Sequence, residues 1–223
     1  MTSDPKRANC ILCVPTALEL ERLRSVAPAA VDPSAWKAVE VLGFGPVAAA
    51  ARGAALGAEY PGSDFLLAGI AGGYPGPHRG HSSDLRIGEA AFFGSVGLDG
   101  VGAGEGATLA LPSAMGFPQL QDPLGAVHET LPLGLPGGAP PRTLLTVCAS
   151  SSSSAMVAHR RGRFPGAEAE DMEAFGLALA ARILGRELWV VRGISNEAGD
   201  RDTSTWRIDD ALSAAGQILR ALP

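Results

Sequence analysis

Four stretches of this chain combine residue types that can do chemistry. Glu19 stands early, just after a short apolar run. Gly69-Ile70-Ala71-Gly72-Gly73 ends a second apolar run, and Glu170-Asp171-Met172-Glu173 precedes a run rich in alanine and leucine. Arg192-Gly193-Ile194-Ser195-Asn196 closes a third apolar stretch. Carboxylates can take a proton from water, accept hydrogen bonds from hydroxyls and stabilise a developing positive charge. An asparagine amide both donates and accepts, so it can read a mixed polar edge on a ligand. Paired glycines let backbone N–H groups come close to a bound molecule, although a plain tight turn has the same composition.

Other motifs carry less. Gly43-Phe44-Gly45 is a fragment of a dinucleotide fingerprint without its third glycine, so a tight strand-to-helix turn accounts for it. Cys10 and Cys13 form a C-x-x-C on a predicted buried strand with no second pair, which reads as two buried thiols and no zinc site. His78 and His81 lie in a Gly/Pro-rich loop without acidic neighbours at ligand spacing. The serine run 150–154 lacks the G-x-S-x-G elbow of a nucleophile, and nothing in the sequence pairs it with His128. Small hydroxyl residues at a strand end can still line a pocket.

The elements that must position these groups alternate between strand and helix patterns. Strands are predicted at 10–14, 36–42, 64–70, 142–149 and 187–194, with a strand pair over 85–96 broken near Gly88 or Gly94. Helices are predicted after Thr16, which can cap one containing Leu18, Glu19 and Leu23, and at 47–59, 174–184 and 209–219. Residues 71–73 read as a turn, Glu170–Glu173 as the start of a helix, and 97–141 as loops with one short helix. Of 223 residues 46% are apolar and few are aromatic, which suits an aliphatic sheet flanked by alanine-rich helices. The expected fold is α/β: one domain over 1–223, a three-layer sandwich with a mixed central sheet. Ligand sites in such sheets lie beyond the carboxyl ends of strands, where all four chemical stretches fall.

Acidic residues outnumber basic ones by 23 to 18, and no basic stripe suggests nucleic acid. Three cysteines make no disulfide framework and favour a reducing compartment; the first apolar run is too short for a signal or membrane segment. The expectation is a cytoplasmic protein without a membrane partner.

Taken in order, from about residue 10 to residue 220, the four stretches resemble the purine nucleoside phosphorylase and methylthioadenosine nucleosidase superfamily. Within it the tail 192–206, RGISNEAGDRDTSTW, looks like that of the futalosine hydrolases, enzymes of an alternative menaquinone pathway. The resemblance implies Glu173 as the ribose-binding glutamate, Met172 packed on the sugar, and Glu19 as the group that positions or deprotonates water. It also implies contributions from Ile70, Ala71, Gly72, Asp171 and Ser195 to substrate binding. Adenine-specific members carry Asp where this chain has Asn196. A 6-oxopurine presents a carbonyl that repels a carboxylate but accepts from an amide, so Asn196 implies hypoxanthine as the base. Phosphorylases of the superfamily place an arginine before the glycine loop, whereas Phe65–Gly69 here is apolar, which favours water as nucleophile. Arg52 and Arg79 remain as possible phosphate ligands. No metal or organic cofactor is implied, and the relatives suggest a homo-oligomer. A phosphate-dependent phosphorylase and a non-catalytic nucleoside-binding protein are the alternatives.

Overall fold

The structure is a computed structural model and describes residues 4–75 and 85–223. His78, His81 and Arg79 lie outside the described residues. In chain order the elements are β1 (Cys10–Val14), α1 (Ala17–Val26), β2 (Ala38–Val41), α2 (Pro46–Glu59), β3 (Asp64–Gly73), β4 (Ala90–Phe93) and β5 (Ser95–Asp99). These are followed by α3 (Pro112–Met115), β6 (Leu120–Asp122), β7 (Gly125–Val127), β8 (Thr130–Pro132) and β9 (Thr143–Val147). The chain closes with α4 (Ser154–Arg163), β10 (Ala167–Asp171), α5 (Ala174–Leu184), β11 (Leu188–Glu197) and α6 (Ile208–Ala221).

The central sheet runs β2-β1-β3-β10-β9-β5-β8, and β11 branches from β3 to pair with β4. β1, β2, β3 and β11 are mutually parallel where they pair, as are β5, β9 and β10, whereas β10 meets the end of β3 antiparallel. The sheet is therefore mixed, with helices on both faces, as the alternating pattern predicts.

Period-two alternation explains the layering, since successive strand residues face opposite sides. Ile11, Cys13, Phe65, Leu67, Leu188 and Val190 enter one core, against α2 and α5. Their neighbours Cys10, Leu12, Leu66, Ala68, Trp189 and Val191 enter the other, against α1 and α6. Cys10 and Cys13 thus lie on opposite faces as free, buried thiols, and burial pushes the Cys10 thiol up to about 12. Gly176 permits a close approach on the first of these faces: a Cβ there would collide with the Pro46 carbonyl, where α2 begins against α5.

Several expectations are corrected. Residues 71–73 form no turn; the ladder of β3 continues through Gly73 because β10 and β11 pair with it there. The break in the 85–96 pair falls at Gly94, between β4 and β5. Residues 97–141 hold more structure than loops: the end of β5, α3, the β6–β7 hairpin and edge strand β8. The helix expected from Glu170 begins only at Ala174, and Glu170 and Asp171 end a buried strand whose sequence, AEAED, hides it from a hydropathy pattern. The serine run leads into α4, with Ser153 capping it by accepting from the Met156 N–H. Among the described residues no helix is long and apolar enough to cross a membrane.

Candidate active site

The carboxyl ends of β1, β3, β9, β10 and β11 converge on one cavity of about 340 Å³. All nine residues singled out in the sequence line it: Glu19, Ile70, Ala71, Gly72, Asp171, Met172, Glu173, Ser195 and Asn196. A broader groove of about 550 Å³ between β4 and α6 contains none of them.

Glu19 is set by the start of α1. Thr16 caps that helix by accepting from the Glu19 N–H, and its hydroxyl donates to Glu19 Oε2 at 2.8 Å. The other oxygen, Oε1, accepts from the Ile70 N–H of β3 at 3.0 Å. Glu19 is therefore a buried, oriented carboxylate and not a solvated residue of the helix surface.

Glu173 occupies the N-cap position of α5 but does not cap it. Its carboxylate turns away, accepting from the Gly45 N–H at 3.1 Å and from Arg192 Nη2 at 3.2 Å. The start of α2 reaches it because Gly176 leaves room for Pro46, and Gly45 takes a left-handed φ of 91° that leads into that helix. Asp171 does the capping, accepting from the Ala174 N–H at 2.9 Å. Its remaining capacity goes to the Thr146 hydroxyl and Arg192 Nη2. The Asp171 side chain is thus engaged by the protein, so its position serves Arg192 and α5.

Arg192 is the buried cation behind these carboxylates, and the sequence named it only as part of a motif. Its side chain has no exposed surface and forms ion pairs with Asp171 and Glu173. Burial works against its charge, but Asp171, Glu173 and Glu19 outweigh it and hold its pKa above the ordinary arginine value. Nε and Nη1 have no hydrogen-bond partner among the described residues. The signal was present: an arginine in the middle of an otherwise apolar strand must have buried carboxylates to meet it. Burial pushes Glu173 up to about 7, opposed by Arg192 and aided by Asp171 and Glu19.

Gly69 explains how these groups meet. A Cβ at this position would meet Arg192 Nη1, stand 2.7 Å from Glu19 Oε1 and 2.9 Å from the Pro15 ring. The absent side chain leaves the gap in which glutamate and guanidinium face each other.

On the opposite wall Asn196 is 7% exposed and shares the cavity with Glu19 and Glu173. Its Oδ1 accepts from the Ser195 hydroxyl at 2.8 Å, and its Nδ2 donates to the Glu197 carbonyl at 2.9 Å. One amide hydrogen and one lone pair remain for a ligand. Arg52 does not reach the cavity; it pairs with Glu40 and Glu59 on the outer side of α2. Glu170, Phe44, Arg201 and Trp206 also line the cavity and were not singled out as binding residues, and Ser150 and Ser151 of the serine run line it as well.

Gly69→Ala is expected to force Arg192 and Glu19 apart and to lower kcat/KM by on the order of 100-fold, the typical effect of misplacing catalytic groups by about 1 Å. Steady-state rates on a purine nucleoside check this; a rate within a few-fold of the unaltered protein would show the close approach to be dispensable.

No family model matches the chain. A futalosine hydrolase of Thermus thermophilus is 32% identical over 205 residues, covering 84% of each chain. A futalosine hydrolase of Streptomyces coelicolor is 46% identical over 77 residues, a stretch that spans 34% of this chain and only 33% of that protein. Among solved structures, the 5'-methylthioadenosine/S-adenosylhomocysteine nucleosidase of Neisseria meningitidis, in complex with methylthio-immucillin-A, superposes with a TM-score of 0.69. It is 18% identical, with 96% of this chain and 97% of that one covered. A Helicobacter pylori nucleosidase gives a TM-score of 0.71 at 13% identity, covering 96% and 97%. These structures share the fold. By its extended similarity to the Thermus protein, the chain belongs to the futalosine hydrolase family.

Proposed function

We propose that this protein hydrolyses the N-glycosidic bond of futalosine, releasing hypoxanthine and dehypoxanthine futalosine on the route to menaquinone. The observation that carries this reading is the placement of Glu19, Glu173 and Asn196 around one cavity, with Arg192 beneath them.

The chemistry follows from that arrangement. A water held between Glu19 Oε1 and Arg192 Nη1 would satisfy the guanidinium N–H and lie close to the glutamate that can take its proton. Its oxygen forms the new bond to C1′ as the bond from C1′ to N9 breaks, and that electron pair leaves with the base. Glu173, with Met172 packed beside the sugar, accepts from the ribose hydroxyls and places negative charge near the electron-poor ring. Asn196 donates to the carbonyl of the base and accepts from N7–H as it forms. An amide supplies no proton of its own, so the proton reaches N7 through water.

Water is favoured over phosphate by the charge balance. Arg192 already faces Asp171, Glu173 and Glu19, so its charge is taken up within the site and is not left over to hold a phosphate. We take the chain, residues 1–223, as one hydrolase domain acting in the cytoplasm. Leu18 and Phe44 line the cavity and are exposed, and they support a homo-oligomer that covers them.

Incubation with futalosine, inosine and methylthioadenosine, with and without phosphate, tests the reaction. Hypoxanthine release from futalosine that is independent of phosphate is expected. A strict phosphate requirement would make the enzyme a phosphorylase, and release of adenine alone would refute the reading of Asn196.

The raised pKa of Glu173 gives a second expectation. The carboxylate must be ionised to stabilise a cation, and ionisation is lost as pH falls through about 7. The rate kcat/KM should rise with pH through this range, falling about tenfold per unit well below the pKa. Glu173→Gln should remove most of the activity without unfolding the protein. A profile flat between pH 5 and 8 in the unaltered enzyme would contradict the assignment.

A further inference from the structure

The segment that follows β11 puts a positive charge on the cavity wall that the hydrolysis does not use. The charged residues of the lining are Glu19, Glu170, Asp171, Glu173 and Arg201. Arg201 is thus the only lysine or arginine among the described residues that line the cavity. It belongs to the tail 192–206 that the sequence marks out, and no step of the reaction above calls on it.

Local structure leaves this guanidinium free. Arg201 stands between two acids, Asp200 and Asp202, whose carboxylates turn to the loop itself. Asp200 accepts from the Asp202 N–H at 2.9 Å and from the Thr205 hydroxyl at 3.0 Å. Asp202 caps the single turn Thr203–Thr205, accepting from the Ser204 N–H at 3.1 Å and from the Ser204 hydroxyl at 2.6 Å. That turn carries the chain back so that Arg201 Cζ stands 5.3 Å from the centroid of the Trp206 ring. Nη1 donates to the Ser150 hydroxyl at 2.9 Å, and among the described residues Arg201 forms no ion pair. A guanidinium has five donor hydrogens, so most of its capacity is left over. Fastening the loop to the serine run explains the bond to Ser150, and a neutral amide would do that as well. It does not explain a planar cation held over an indole on the wall of a cavity whose other charged residues are acids.

We infer that Arg201, stacked on Trp206, is a subsite for a carboxylate at the 5′ end of the nucleoside. The inference rests on the hydrolase reading above and deepens it by naming the substrate class. Asn196 is taken by the base, and Glu173 with Met172 by the sugar, so a group that meets Arg201 belongs to the remaining part of the substrate. The planar fork suits a carboxylate, which two parallel N–H donors can hold, and stacking on the indole fixes the direction in which the fork points. Trp206 also gives ring surface to the carbon frame that carries the anion. The class is therefore a purine nucleoside with an acidic 5′ substituent, which futalosine is and inosine is not.

Arg201→Gln is the direct test, because glutamine keeps a donor for Ser150 and removes the charge. Futalosine and inosine share their base, so the ratio of their kcat/KM values reports on the 5′ end. The ratio of futalosine to inosine should fall by about fivefold or more. An unchanged ratio overturns the inference, whether or not both rates fall, since a loop-fastening role affects both substrates alike. Should the variant fail to fold, the unaltered protein decides with futalosine and its methyl ester, which lacks the anion. A kcat/KM about fivefold lower or more is expected for the ester; equal values overturn the inference. Free phosphate is the other anion that a guanidinium takes. If phosphate at constant ionic strength speeds the cleavage of both nucleosides, and Arg201→Gln removes that gain, Arg201 serves phosphate and the inference is overturned. If the unaltered protein releases no base from futalosine, the hydrolase reading fails, while calorimetric binding of the acid and the ester still judges Arg201.

Discussion

Arg192 stands in the middle of the sheet without exposed surface, held by Asp171 and Glu173 and faced by Glu19. Burying a guanidinium is tolerable only when carboxylates meet it closely, and removing one partner of such a group typically costs about 3–5 kcal/mol. The ends of β10 and β11 and the starts of α1 and α5 are therefore tied to a single charge. Gly69 and Gly176 follow from the same constraint: one lets Glu19 and Arg192 face each other, and the other lets Gly45 donate to Glu173. Thr146 completes the arrangement, donating to Asp171 and accepting from the Phe175 N–H, which ties β9 to the start of α5.

The cavity is thereby divided by charge. Around Arg192 three carboxylates, Asp171, Glu173 and Glu19, meet one buried guanidinium, which suits an electron-poor sugar. Near Arg160 the balance is even, because Arg160 and Arg163 face Asp99 and Glu170. Ala71, Gly72 and Ala198 contribute small side chains to the lining and leave that part of the cavity free of bulk.

The parts of this design legible in the sequence are those where hydropathy and chemistry agree. β1, β3 and β11 are apolar runs that feed both cores, so the strands were legible with Glu19 and Asn196 near their carboxyl ends, although β3 and β11 run on to Gly73 and Glu197. β10 was missed because alternating alanine with acid reads as polar, although Arg160, Arg192, Ser151 and Tyr74 compensate the charges inside. α4 was missed because its arginines mask the buried Val157 face. The three-residue strands β6, β7 and β8 carry too little pattern to stand out from glycine and proline. Adjacent carboxylates were the hardest to separate: spacing does not tell which of Glu170, Asp171 and Glu173 meets a ligand. That depends on where Arg192 of β11 meets them, a contact between residues on different strands and helices.

Arg192→Lys tests this dependence most directly. Lysine keeps the charge but not the planar fork that reaches Asp171 and Glu173 while leaving Nη1 toward Glu19. Measured on futalosine, with thermal unfolding followed on the same protein, kcat/KM should fall by on the order of 100-fold or more in a folded enzyme. A folded variant that turns over within a few-fold of the unaltered rate would contradict the claim that this guanidinium organises the site.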